Sequence, residues 1–346
     1  MFKQNLETDR YMRILCPDGI PDFLMEYAAA PEMARLAGIG LFCGTDYSRV
    51  YRHRYFFSRL DHSLGVALIV WRFTRDRAQA IAGLLHDISC PVFSHSVDFM
   101  NGDALTQSST EAHTRRIIAR SAHIMALLAR DNIPLDAVAD YHIYPIADNH
   151  SPRLCADRLE YTLSTMLVWH GGWGLTDIAA IMDDLTVLTA HDCSLELGFA
   201  SLDSATHFTQ GACAIGIAFQ RNDNKLSLNM LGDILSMALS TGTLTAEELY
   251  TLTEAQAIAA IESSEDEPLR AAWRNYTHLR DVYGADQRPS GGYSVCVEAK
   301  RRYINTLVMH AGGAARAHDV SIPAKHAIDE LLAFTDKPYA YVDFQV

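Results

Sequence analysis

The adjacent pair His86-Asp87 closes an apolar run from Ala78 to Leu85 and is the feature that most constrains this chain. Ala78, Ile81, Ala82 and Leu85 recur at helical spacing, so the pair falls at a helix end. His62 lies upstream and Asp157 downstream. Two His and two Asp offer borderline nitrogen and hard oxygen donors, a mixture that holds a divalent transition metal and leaves positions for water and substrate. The chain reads as a metalloenzyme.

Composition sets the outer limits. With 346 residues, 49% hydrophobic and 21% charged, the chain is long enough for a sizeable core, or a core plus a smaller subdomain. Apolar stretches such as Val66 to Trp71 and Ile178 to Met182 fall short of the roughly 20 residues that span a bilayer. Met1 to Asp9 lacks a basic and then apolar leader, so no membrane association and a cytoplasmic location are expected. The seven Cys are scattered without CxxC spacing, which argues against a disulfide framework or zinc knuckle. A formal net charge of -13 disfavours nucleic acid as a partner, since such binding rests on Lys and Arg neutralising phosphates. A small phosphorylated substrate needs only a local basic pocket, for which Arg52, Arg54, Arg59, Arg158 and Lys300-Arg301-Arg302 are candidates.

Helices dominate the periodicity. Leu64, Ala67, Leu68 and Trp71 follow Asp61, a plausible cap, and Ser89-Cys90-Pro91 ends the next helix. A further helix is expected over Glu111 to Ala129, stopped by Asn132-Ile133-Pro134. Pro152 is placed in the first turn of another, capped by Ser151, which carries Asp157 and Tyr161 on one face. Leu175 to Leu188 and Leu226 to Leu239 read as helices, and Thr245-Ala246-Glu247-Glu248 as a capping box. Only Tyr293 to Val297 and Tyr339 to Phe344 have strand composition, and they are expected to pair.

The motifs Arg59-Leu60-Asp61-His62-Ser63-Leu64-Gly65-Val66, His86-Asp87-Ile88, Pro91-Val92-Phe93-Ser94-His95-Ser96-Val97-Asp98 and Asp157-Arg158-Leu159-Glu160-Tyr161 follow in that order. Together they resemble the HD-domain metal-dependent phosphohydrolases, in particular the branch containing the deoxynucleoside triphosphate triphosphohydrolases. The resemblance covers roughly residues 35 to 165. The expected fold is all-α: an HD-domain helical bundle over residues 1–190, then a mostly helical elaboration over 191–346 with a small β appendage. A homo-oligomer is left open.

The resemblance implies His62, His86, Asp87 and Asp157 as ligands to one divalent transition metal ion per chain (Mn, Fe, Zn, Ni or Co). Such an ion lowers the pKa of water and polarises a phosphoryl oxygen, as phosphoester hydrolysis requires. Asp61 is expected to cap a helix or orient a ligand instead. His95 and His113 resemble active-site histidines of the triphosphohydrolases, and an imidazole suits proton transfer near neutral pH. Asp98 would hold the His95 ring in one tautomer. Arg59 and Arg158 flank two ligands and suit phosphate oxygens, while Tyr161 matches a position near the substrate sugar or phosphate.

Two departures bear on the reaction. Where the triphosphohydrolases commonly read His-Asp-x-Gly-His, this chain has Cys90, and where they read His-Glu it has His113-Thr114. The expected reaction is therefore cleavage of a phosphoester in a nucleotide or similar small metabolite, with release of intact triphosphate the runner-up. Two rivals remain. His123 and His142 could serve a di-iron HD-domain oxygenase, and the substitutions could mark a silent nucleotide-binding regulator.

Overall fold

The computed structural model describes residues 6–105, 113–169 and 171–344. The first described helix, α1 (Leu6–Leu15), buries Tyr11 and Leu15 completely. The centre of the fold is α2 (Arg59–Thr74), in which every residue from His62 to Val70 is buried. A helix apolar on all sides belongs inside a protein. A capping box starts it: Ser58 Oγ accepts from the Asp61 N–H at 3.1 Å, and Asp61 Oδ2 accepts from the Ser58 N–H at 2.9 Å. Ser58 is thus the N-cap and Asp61 its reciprocal partner.

Next comes α3 (Arg77–Leu85), with Asp76 capping through the Gln79 N–H at 3.1 Å. It packs along α2, where Gly83 faces Val66 and Val70, and ends at His86. The chain then turns through Phe93 and Ser94, both at positive φ, into the short α4 (Ser96–Met100). The single helix expected over Glu111 to Ala129 is two helices, α5 (Thr114–Arg120) and α6 (Ala122–Asp131); Glu111 and Ala112 lie outside the described residues. Ser121 separates them. Its backbone leaves the helical region, its Oγ accepts from the Ile124 N–H at 3.3 Å, and it donates to Glu32 at 2.9 Å.

The helix carrying Asp157, α7, runs over Ala156–Val168 and is capped by Cys155, not Ser151. Pro152 lies in a turn ahead of it, because Arg158 gathers the backbone carbonyls of Asn149 and Arg153 and holds that segment out of the helix. The helix expected over Leu175 to Leu188 stops early. It divides into α8 (Leu175–Asp184) and the strand β1 (Leu185–Thr189), which pairs antiparallel with β2 (Leu195–Phe199). Residue 190 sits in the turn of this hairpin. Two nineteen-residue helices follow, α9 (Leu202–Gln220) and α10 (Asn222–Ser240). The Thr245–Glu248 box forms its bonds, but the helix behind it is the single turn Glu248–Thr251. Beyond it lie the helix Glu254–Glu262 and α11 (Glu267–His278).

The remaining strands are β3 (Tyr283–Ala285), β4 (Tyr293–Val295), β5 (Leu307–His310), β6 (Gly313–Arg316) and β7 (Tyr339–Val342), with α12 (Ile322–Ala333) before the last. The expected pairing of the two tail segments is present, as β4 against β7, with β3 on the other side. The second sheet, ordered β1-β2-β5-β6, was not expected, so the all-α description gives way to a predominantly helical fold with two small sheets. This sheet steadies the site. Buried Glu196 on β2 takes both Arg316 guanidinium nitrogens at 2.6 and 2.8 Å and the Leu154 N–H at 3.0 Å, just ahead of α7. Among the described residues no helix is long and apolar enough to cross a membrane.

Candidate metal centre

Three elements converge on the four expected ligands: α2 supplies His62, the end of α3 supplies His86 and Asp87, and α7 supplies Asp157. Nε2 of His62 lies 3.1 Å from Asp157 Oδ1 and 3.9 Å from Asp87 Oδ2. Nε2 of His86 lies 3.6 Å from Asp87 Oδ2 and 3.9 Å from Asp157 Oδ1. Bonds of about 2.1 Å reach atoms up to about 4.2 Å apart, so His62, His86 and Asp87 fit a common cation, with Asp157 beside the two imidazoles. His62, His86 and Asp87 are the one such His, Cys, Asp and Glu group among the described residues. The set suits a divalent transition metal and does not choose among them.

The imidazoles are held from behind. His86 Nδ1 meets the Gly83 carbonyl at 2.7 Å, which directs Nε2 to the other donors. His62 Nδ1 meets Glu160 Oε2, and Glu160 also accepts from the Tyr11 hydroxyl at 2.8 Å and the Ser164 hydroxyl at 3.3 Å. Burial alone would lower the pKa of His62, but Glu160 and Asp157 outweigh it and push it up to about 10. Gly65 makes this approach feasible: a Cβ there would lie 2.6 Å from Glu160 Cγ. Glu160, one turn beyond Asp157, was missed as a functional residue although it stands inside the quoted motif.

Arg59 is buried, with Nη1 on Asp87 Oδ2 at 2.8 Å and Nε on Ser94 Oγ at 3.1 Å. Burial would raise the pKa of Asp87, yet Arg59, His86 and His62 hold it well below the usual carboxylate range. His62, His86 and Arg158 do the same for Asp157 against its burial. Both remain anionic at neutral pH, as ligands must.

The cluster lines a cavity of about 480 Å³ that also receives His95, Arg59, Arg158 and Tyr161. His95 Nδ1 is 2.8 Å from Asp98 Oδ2, with Asp98 fully buried behind it. Burial depresses the His95 pKa despite Asp98, so the ring is neutral at pH 7. Arg158 reaches the cavity while bound to Asp148 at 3.1 Å and to Arg153 O at 2.7 Å. His113 is not brought in: it precedes α5, off the cavity lining, with its ring edge on Tyr250 at 5.1 Å. Cys90 also lies off the lining, its Sγ 3.2 Å from Ser94 Oγ and its thiol pushed up to about 12 by burial. Thr114 Oγ1 is 2.9 Å from Ser89 Oγ and 3.4 Å from His86 O, behind the ligand turn. Of the other basic candidates, Arg54 is spent on the carbonyls of Trp169 and Trp173, and Arg301 on those of Leu332 and Phe334. Arg302 lines the cavity close enough for its charge to act on His95 and Tyr161.

No protein-family model matches the chain. It is 31% identical over 140 residues to the metal-dependent phosphohydrolase cns2 of Cordyceps militaris, and 30% identical over 130 residues to the uncharacterized protein YdhJ of Bacillus subtilis. These stretches span 40% and 38% of this chain and 39% of each relative. The fold is shared more widely. A phosphohydrolase from Bacteroides thetaiotaomicron superposes with a TM-score of 0.66 at 15% identity, over 92% of this chain and 95% of its own. A hypothetical protein from Aquifex aeolicus does so with a TM-score of 0.63 at 16% identity, over 94% and 93%.

Proposed function

We propose that this chain is an HD-type metal-dependent phosphohydrolase that removes phosphate from a nucleotide or similar small phosphoester. The observation that carries the reading is the convergence of His62, His86, Asp87 and Asp157 on the wall of a cavity that also holds a neutral imidazole and basic side chains. The local likeness to a metal-dependent phosphohydrolase supports it. When bound, the ion would supply Lewis-acid polarisation of a phosphoryl oxygen and activation of water. The chain's own residues do the rest. Arg59 and Glu160 fix ligands, Arg158 fixes the Asn149–Arg153 loop beside Asp157, Arg302 and Tyr161 face the phosphoryl oxygens, and Asp98 fixes His95 so that Nε2 accepts a proton from the attacking water. The triphosphohydrolase-like His113 and the two departures, Cys90 and Thr114, all lie off the cavity lining. This favours a monophosphate over triphosphate release.

The test is a screen of nucleoside mono-, di- and triphosphates and sugar phosphates with purified, metal-analysed protein, scoring phosphate, pyrophosphate and triphosphate separately. Phosphate from monophosphates is the expected product. Triphosphate from deoxynucleoside triphosphates would restore the runner-up, and two irons per chain with oxygen uptake would sink the hydrolase.

A further inference from the structure

We propose that Tyr11, on α1, is a positioning residue of the metal centre: its hydroxyl fixes the Glu160 carboxyl group that orients His62. The proposal rests on the metal-centre reading above and extends that centre to a helix that lies ahead of every quoted motif.

The two oxygens of Glu160 have separate partners. Oε2 faces Nδ1 of His62, whose Nε2 is turned to Asp157 and Asp87. Oε1 accepts from the Tyr11 hydroxyl at 2.8 Å, and among the described residues no other hydrogen bond reaches it. Ser164 holds Oε2 more weakly, because its one hydroxyl proton is shared with the Glu160 backbone carbonyl, which at 2.9 Å is nearer than Oε2 at 3.3 Å. A carboxyl group anchored at both oxygens has a fixed plane, whereas one anchored at a single oxygen can turn.

Tyr11 is itself held in place. It is fully buried as α1 packs on α2 and α8, and its ring meets Phe57 edge-on, with centroids 5.9 Å apart and planes at 79°. Phe57 immediately precedes Ser58, the N-cap of α2. On its other side the Glu160 stem lies against Gly65 of the same helix. Glu160 is fully buried, so removal of the hydroxyl leaves Oε1 without a partner and out of reach of solvent, a costly state for a polar atom. The carboxyl group relieves that cost by turning, at the expense of its hold on His62. Outer partners of a ligating imidazole set metal affinity in this way. Packing alone needs the Tyr11 ring and not its hydroxyl.

Tyr11→Phe keeps the ring and removes the hydroxyl. Cobalt(II) titrated into metal-free protein against a competing chelator, and followed through the visible absorption of the bound ion, reads affinity and ligand geometry together without turnover. The variant should bind cobalt about threefold to tenfold more weakly, the worth of one hydrogen bond, and with an altered visible band. In a Glu160→Leu background, which lacks both carboxyl oxygens, the same substitution should change cobalt affinity less than about twofold, because the link it acts through is already gone. Unchanged affinity in Tyr11→Phe, whatever its melting temperature, overturns the positioning role and leaves the metal centre standing. An equal loss in both backgrounds also overturns it, since the hydroxyl would then act by a route other than Glu160. No cobalt bound by the unmodified protein overturns the metal centre itself, and the role of Tyr11 with it.

Discussion

Asp87 and Asp157 beside the cavity, and Asp46 and Glu254 further back, are two buried carboxylate pairs in opposite states. The first pair is held well below the usual carboxylate range, because Arg59, Arg158, His62 and His86 overcome its burial. The second pair is pushed up to about 7 by burial, aided at Glu254 by the charge of Asp46. Glu254 accepts only neutral donors, the Tyr47 hydroxyl at 3.0 Å and the N–H groups of Gly40 and Phe93. Burial by itself neutralises a carboxyl group. Arg59 beside Asp87 and Arg158 near Asp157 are cationic whatever the state of the imidazoles, and neighbours of either kind can be tested by substitution.

Removing a ligand should have the largest effect. Asp87→Ala and His62→Ala should each lose bound metal and essentially all hydrolysis, since both affinity and geometry depend on the full donor set. Metal analysis and phosphate release on the same preparations measure this. A variant with full metal and full activity would remove the distinction between the two carboxylate pairs.

His95 should follow. His95→Ala should keep its metal and lose about 10²-fold to 10⁴-fold in kcat, the range for a positioned acid or base. Because burial holds the His95 pKa below its ordinary value, the acid limb of the kcat profile should lie below that of an exposed imidazole and vanish in the variant. An unchanged kcat would return His95 to a structural role.

The sequence discloses these two levels unequally. The helices that carry the candidate ligands were readable because α2 and α3 carry strong apolar periodicity, and the candidates His62, His86, Asp87 and Asp157 stand in short motifs. β1 was not, since Leu185–Thr189 continues the apolar pattern of α8 and a short apolar run has no distinctive period. Cys155 replaced Ser151 as a cap because Arg158 holds the preceding loop, a contact that no local propensity encodes. Glu160 left a usable signal, since it lies one turn from Asp157. Arg302 stood among the basic candidates of the Lys300-Arg301-Arg302 run, but only the tertiary fold brings it near His95 and Tyr161.

A smaller effect is expected one layer behind the ligands. Glu160→Gln keeps the size of the group but removes the charge that orients His62, and should weaken metal affinity about 10-fold to 100-fold. Competitive chelator titration reads this directly. Gly65→Ala should act in the same direction by displacing Glu160. Unaltered affinity in both would mean that the His62–Glu160 contact serves packing alone.

The smallest effect belongs to the neutral pair. Glu254 has a folded pKa of about 7, above its ordinary 4.5, so the folded state holds a proton that the unfolded state has released between these values. Its contribution to stability is therefore fully present below about pH 4.5 and is lost as pH rises through about 7. At 1.36 kcal/mol per unit, the swing is on the order of 3 kcal/mol. Glu254→Gln cannot ionise and keeps an acceptor for Tyr47 and the Gly40 and Phe93 N–H groups. Thermal unfolding between about pH 5 and pH 8 should fall less steeply with pH in this variant than in the unmodified protein. The same slope in both would mean that Glu254 is ionised in the folded state, and that neutral donors suffice to hold a buried carboxylate charged here, against the contrast drawn with Asp87.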